Sequence, residues 1–341
     1  MVASPHQCLH IVGHQTAQKE IQAAYDSGRM PHAWLFVGPE GIGKASVAYH
    51  VAHMLLSGGA SRLGRLNPES ESARLIVAES HPDFFVLRRT PDEKTGVMRE
   101  AIAVEEARKI APFLQLTASH GHGRVVLIDE AHRLGRNGQN AILKLIEEPP
   151  PGTVILMTAT SIGSLLRTIR SRCRIVPFEP LKAGEMEAVL MGLDLTIPSG
   201  SEKERLLDLA EGSVGQAVHM IEAEVLPLYE EAMALIAQMP ALDFARLHKL
   251  GDAIGKKANQ ESFDVLSGLL VETLRRAVRA AASGQGDPSG LAARLAPAGR
   301  LDNALEVWEK TRERFALADA VYLDNKLAFT TAMTALARAM A

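Results

Sequence analysis

A chain of 341 residues, 47% hydrophobic and 23% charged, can fill the cores of two or three domains. A formal charge of −3 excludes the basic excess that drives non-specific binding to phosphate backbones, so any nucleic-acid contact must be local or shared with partners. Two cysteines, Cys8 and Cys173, exclude a disulfide framework, and no apolar run reaches the roughly 18 residues that cross a bilayer.

AWLFVG, residues 33–38, predicts a short strand ending in glycine, and GPEGIGKAS follows it. From Gly38 this fits the phosphate-loop pattern G-x-x-x-x-G-K-[ST] as far as Lys44, with Gly41 and Gly43 inside it and Ala45 where a hydroxyl belongs. That hydroxyl ordinarily ligates magnesium, so Ala45 bears on catalysis and not on folding. KASVAYHVAHMLL then places Val47, Ala48, Val51, Ala52 and Leu55 at helical spacing. Strand, glycine loop and helix together give the context a phosphate loop requires, which a chance glycine turn lacks.

Residues 57–83, rich in Ser, Gly, Glu and Pro, read as a long and partly mobile surface insertion. It contains no cysteine, which excludes a thiolate zinc site there, and His50, His53 and His81 read as packing or surface residues. FFVL is a second strand, RRTPDEKTGVMRE a polar connection, and VEEARKIAPFLQL a helix that Pro112 should bend or end. SHGHGR, with His120 and His122, reads as a flexible approach to the next strand.

RVVLIDEAHRL runs four apolar residues, Val125 to Ile128, into Asp129 and Glu130, as a strand buried on both faces does. After a phosphate loop, such an acidic pair suits Asp129 to hold magnesium through water and Glu130 to polarise an attacking water. NGQNAILKLIEEPPPG gives a helix stopped by prolines, with Ala141, Ile142, Leu145 and Ile146 on one face. TVILMTAT and RIVPFEP complete five short apolar strands, and the predicted fold is a parallel sheet covered by helices, the α/β fold of phosphate-loop NTPases. Beyond Pro180 the β-branched runs vanish and amphipathic helical stretches continue to the end.

GRMPHAWLFVGPEGIGK, SHPDFFVL, NAILKLIEEPP and IRSRCRIVPFEPL, which together span most of residues 9–182, resemble the AAA+ clamp-loader subunits of bacterial DNA polymerase III. The resemblance implies an AAA+ nucleotide-binding domain over 1–180, a helical lid over 181–224 and an all-helical collar for oligomerisation over 225–341. It implies as partners the motor subunits gamma or tau and the delta subunit, with the sliding clamp and primed DNA met through the assembly, in the cytoplasm and away from membranes. Arg172 in Ser171-Arg172-Cys173 matches the family's arginine finger, which reaches the γ-phosphate held by a neighbouring subunit. Thr160 matches the sensor-1 position. In the lid, GSVGQAV puts Gly215 and Gln216 where active relatives carry an arginine.

Two electrostatic parts are thus missing from the chain's own site, while Lys44, the glycines, Asp129, Glu130 and Thr160 remain. The expectation is ATP or ADP with magnesium held weakly or not at all, no zinc, and weak or absent hydrolysis; polymerase chemistry belongs to the holoenzyme as a whole. The competing reading is a self-sufficient AAA+ ATPase with Lys44 and Glu130 catalytic.

Overall fold

The computed structural model describes residues 4–58, 62–92, 96–119, 121–255, 260–284, 290–296, 301–321 and 324–340, with backbone alone at 318–321. His120 and parts of the polar segments around 60 and 94 lie outside the described residues. The chain divides into two compact units, Met1–Ile197 with Ala210–Gln216, and Pro198–Leu209 with Ala217–Ala341. The segment 181–224, expected as a lid, is shared between them.

In the first unit, α1 (Gln15–Asp26) precedes β1 (Ala33–Val37), α2 (Lys44–Leu56), α3 (Glu71–Val77) and β2 (Phe84–Leu87). There follow α4 (Val104–Arg108), α5 (Ile110–Gln115), β3 (Arg124–Ile128), α6 (Arg136–Glu147), β4 (Thr153–Ala159), α7 (Arg167–Arg170), β5 (Arg174–Pro177) and α8 (Ala183–Met191). The five strands pair in the order β2-β3-β4-β1-β5, and every pairing is parallel. Both faces of the sheet are buried. Alternate residues feed two cores: Trp34, Phe36 and Leu127 pack with α1 and α2 residues such as Ile21 and Val51. Leu35, Val126 and Met157 pack on the other face with Ile110, Ile142 and Ile146.

The expected helix around Pro112 is broken at Lys109, giving α4 and α5, as the proline ring's clash with the carbonyl four residues back demands. The reading of 57–83 as a surface insertion without sustained structure is corrected over its second half. Ser70 caps α3 by accepting from the Ala73 amide at 3.2 Å, and Ala73 and Ile76 are buried. Beyond it, the Asp83 carboxylate accepts from the Ser119 amide at 2.8 Å and faces the Arg124 guanidinium at 3.6 Å, both groups being buried.

The second unit is helical. It carries most of α9 (Ser201–Ala210) and α10 (Val214–Glu222), then α11 (Leu226–Gln238), α12 (Phe244–Ile254) and α13 (Gln260–Ser283). The chain ends with α14 (Leu291–Leu295), α15 (Leu301–Val321) and α16 (Asn325–Ala339). Asp243 and Asp324 cap α12 and α16 through their side chains. Leu235, Leu250, Phe263, Leu270, Phe329 and Leu336 are among its buried residues, and Phe263 meets Phe315 edge to face at 6.0 Å. No described helix is long and apolar enough to cross a membrane.

Candidate nucleotide site and arginine finger

Parallel pairing brings the carboxyl ends of β1, β3 and β4 side by side, where ligands bind in open α/β sheets. The loop Gly38 to Gly43 leaves β1 there and enters α2 at Lys44. Two of its glycines are required by contact. A Cβ on Gly38 would lie 2.3 Å from the Phe178 carbonyl oxygen. Gly41 has φ +73°, and a Cβ there would lie 2.3 Å from Ser213 Oγ and 3.0 Å from Gly215 Cα.

Each carbonyl from Gly38 to Ile42 is engaged by this chain. Lys44 Nζ turns back to donate to Gly38 O at 2.8 Å and also to Pro39 O. Ser213 Oγ donates to Glu40 O and the Gly215 amide to Gly41 O, both at 2.9 Å. His14 Nε2 donates to Ile42 O at 2.7 Å, its ring resting 4.9 Å from that of Phe178. Burial lowers the Lys44 pKa, against the pull of the Asp129, Glu40 and Glu130 carboxylates. Ala45, the second residue of α2, offers no hydroxyl, and the neighbouring Ser46 hydroxyl lies beside the Cys8 thiol.

At the end of β3, Asp129 is half-buried. Burial raises its pKa, and the hydrogen bond from Thr158 Oγ1, 2.6 Å long, opposes that rise. Thr158 sits on β4 opposite Phe36 of β1, whereas Thr160 stands one residue past the strand and half-buried. The hydroxyl that reaches the acidic pair is that of Thr158. Glu130 has left-handed backbone, φ +55°, and its amide donates to Thr158 Oγ1 at 2.8 Å. Its carboxylate is held by Arg89 Nε at 2.5 Å, with Arg133 Nε at 3.9 Å. Neither arginine is marked by any motif. The pairing joins positions 41 residues apart.

The residues therefore fit a nucleotide in part. Glycine amides and one lysine suit phosphate, but Ala45 offers no magnesium hydroxyl, and Gly215 meets the loop through its backbone amide and brings no cation.

Arg172 lies elsewhere in the unit, after the single turn of α7, with 41% of its side chain exposed. Nη1 donates to Thr168 O at 3.1 Å and to Ser171 Oγ at 3.3 Å, and Nη2 pairs with Glu147 Oε1 at 3.1 Å. The mount is rigid. Buried Gln139 of α6 accepts from the Leu166 amide at 2.8 Å and donates to Leu134 O at 2.9 Å, tying the start of α7 to α6. Burial pushes the Cys173 thiol up to about 12, so it is an inert packing residue. The sequence showed LIEEPP and SRC separately, and only the fold joins them as Glu147 and Arg172.

A five-stranded parallel sheet with a phosphate loop after β1 and an acidic pair after β3 defines a P-loop NTPase domain of the AAA+ class. The family described as "DNA polymerase III, delta subunit" matches residues 13–182. The DNA polymerase III subunit delta' of Haemophilus influenzae is 30% identical over 243 residues, 64% of this chain and 69% of that protein. The chain belongs to the delta prime subunits of DNA polymerase III. The corresponding protein of Pseudomonas aeruginosa is 34% identical over 202 residues, 57% of this chain and 59% of its own length, so the match spans less than two thirds of that relative. Among solved structures, a gamma-subunit-related protein of DNA polymerase III from Thermotoga maritima aligns over 96% of this chain and 99% of that one, at 16% identity and a TM-score of 0.46.

Proposed function

We propose that this chain is a non-hydrolysing clamp-loader subunit that contributes Arg172 to the ATP site of a neighbouring gamma or tau subunit, in an assembly with delta that places the sliding clamp on primed DNA. The observation that carries this reading is the contrast between the two sites. Lys44 is folded onto its own loop beside Ala45, whereas Arg172 is exposed on an anchored turn, held by two hydrogen bonds within that turn and by a surface ion pair, a kind of contact worth about 0–1 kcal/mol and readily exchanged. A fixed guanidinium reaching a γ-phosphate offsets charge that spreads onto the transferring group in the transition state. Any nucleotide on this chain is held weakly and is not turned over.

The test is reconstitution with motor and delta subunits. Arg172→Ala should reduce turnover at the adjoining site by roughly 10³-fold or more, while Lys44→Ala leaves the assembly's ATPase unchanged. The retained Lys44, Asp129 and Glu130 favour the other reading, an ATPase in its own right. Loss of activity in Lys44→Ala with none in Arg172→Ala would establish that one instead.

A further inference from the structure

Away from the nucleotide site, in the second unit, the side chains of His219, Glu222 and Glu261 bring three ligand atoms within 4.8 Å of one another, the one such group among the described residues. His219 and Glu222 are three residues apart on α10 and so share a face. Glu261 comes from the first turn of α13. The two helices are fastened at this point, because Ser262 Oγ donates to Ala223 O at 2.9 Å. The residues next to that bond in sequence, Glu261 and Glu222, are the ones that present the carboxylates. All three side chains are exposed, and among the described residues none of them is engaged in an ion pair or hydrogen bond.

The charges ask for a cation. Glu222 is the last residue of α10, where unsatisfied helix carbonyls already make the potential negative, and Glu261 adds a second carboxylate beside it. The imidazole selects among cations. One ring nitrogen with two carboxylate oxygens suits zinc, whereas magnesium and calcium prefer oxygen throughout. Tetrahedral zinc, with bonds of about 2.0–2.1 Å, needs its ligand atoms about 3.3 Å apart. Exposed side chains can close from 4.8 Å by torsional adjustment without moving the helices.

We propose that His219, Glu222 and Glu261 bind one zinc ion, with water completing the coordination, and that the ion braces α10 against α13. The site is independent of the nucleotide loop and contains no thiolate. It is tested on the full chain by calorimetric titration with zinc, and with cobalt(II) for its ligand-field spectrum. A single saturable site is expected. His219→Ala and Glu222→Gln should each weaken it by at least the roughly 10- to 100-fold that loss of even an outer-shell partner costs. Zinc should raise the melting temperature of the wild-type chain and not that of His219→Ala. Circular dichroism checks that the variants fold, and Glu261→Gln provides a third variant should either of the others fail. Undiminished affinity in His219→Ala and Glu222→Gln would place the ion on other histidines or on Cys8 and overturn the proposal, as would the absence of saturable binding at millimolar zinc.

Discussion

Replacing Gly41 by alanine tests whether the segment Ser213–Gln216 is seated on the phosphate loop. Gly41 and Gly28 both have left-handed backbone, at φ +73° and +67°, but a Cβ on Gly28 would meet nothing within 4 Å. Gly28→Ala therefore measures backbone strain alone, about 1 kcal/mol after the stiffer unfolded chain is allowed for. Gly41→Ala carries the same strain and drives a methyl to 2.3 Å from Ser213 Oγ and 3.0 Å from Gly215 Cα. Overpacking of that kind adds about 1–3 kcal/mol, so its total loss should be about 2–4 kcal/mol. The assay is urea denaturation in a Trp308→Phe background, which leaves Trp34, buried at 1% exposure in the sheet, as the fluorescent reporter of the first unit. If the two variants lose the same stability, the segment is not packed on Gly41 and the reasoning fails.

Acid should weaken the same unit through its buried histidines. Desolvation holds His50 near pKa 4, against 6.5 unfolded, even though its Nε2 donates to Cys8 O; the His53 and His14 pKa values move the same way. Because the folded pKa is the lower one, the unfolded chain binds more protons between those values. The stabilisation is complete above about pH 6.5 and is lost as pH falls towards 4, about 3 kcal/mol for His50. Urea midpoints at pH 7.5 and pH 5 check this, and a flat profile would refute it. Thr158→Val removes the hydroxyl from Asp129 and should cost about 1–3 kcal/mol by thermal melting, whereas Thr160→Val should cost under about 0.5 kcal/mol.

The five strands were legible because each is a continuous apolar run, and a parallel sheet with two covered faces demands such runs. Pro112 likewise announced its own break. Thr158 was not legible. In TVILMTAT the last two threonines, Thr158 and Thr160, share the parity of one strand face, and which of them reaches Asp129 depends on where the strand ends, a boundary the letters do not mark. The helix α3 was hidden because only Ala73 and Ile76 are buried in it, though Ser70 offered a capping signal. The Arg89–Glu130, Glu147–Arg172 and Gly41–Gly215 contacts join residues far apart in the chain, and periodicity carries no information about them.

The row of carbonyls from Gly38 to Ile42, each met by a donor of this chain, has a consequence for how such a loop ages. A phosphate loop that takes its shape from its substrate risks distortion once the substrate no longer binds. Here Lys44, Ser213, Gly215 and His14 serve as an internal mould. Position 45 can then lack a hydroxyl without the loop losing its form. The loop's shape is set by donors of this chain itself and does not wait on a bound phosphate.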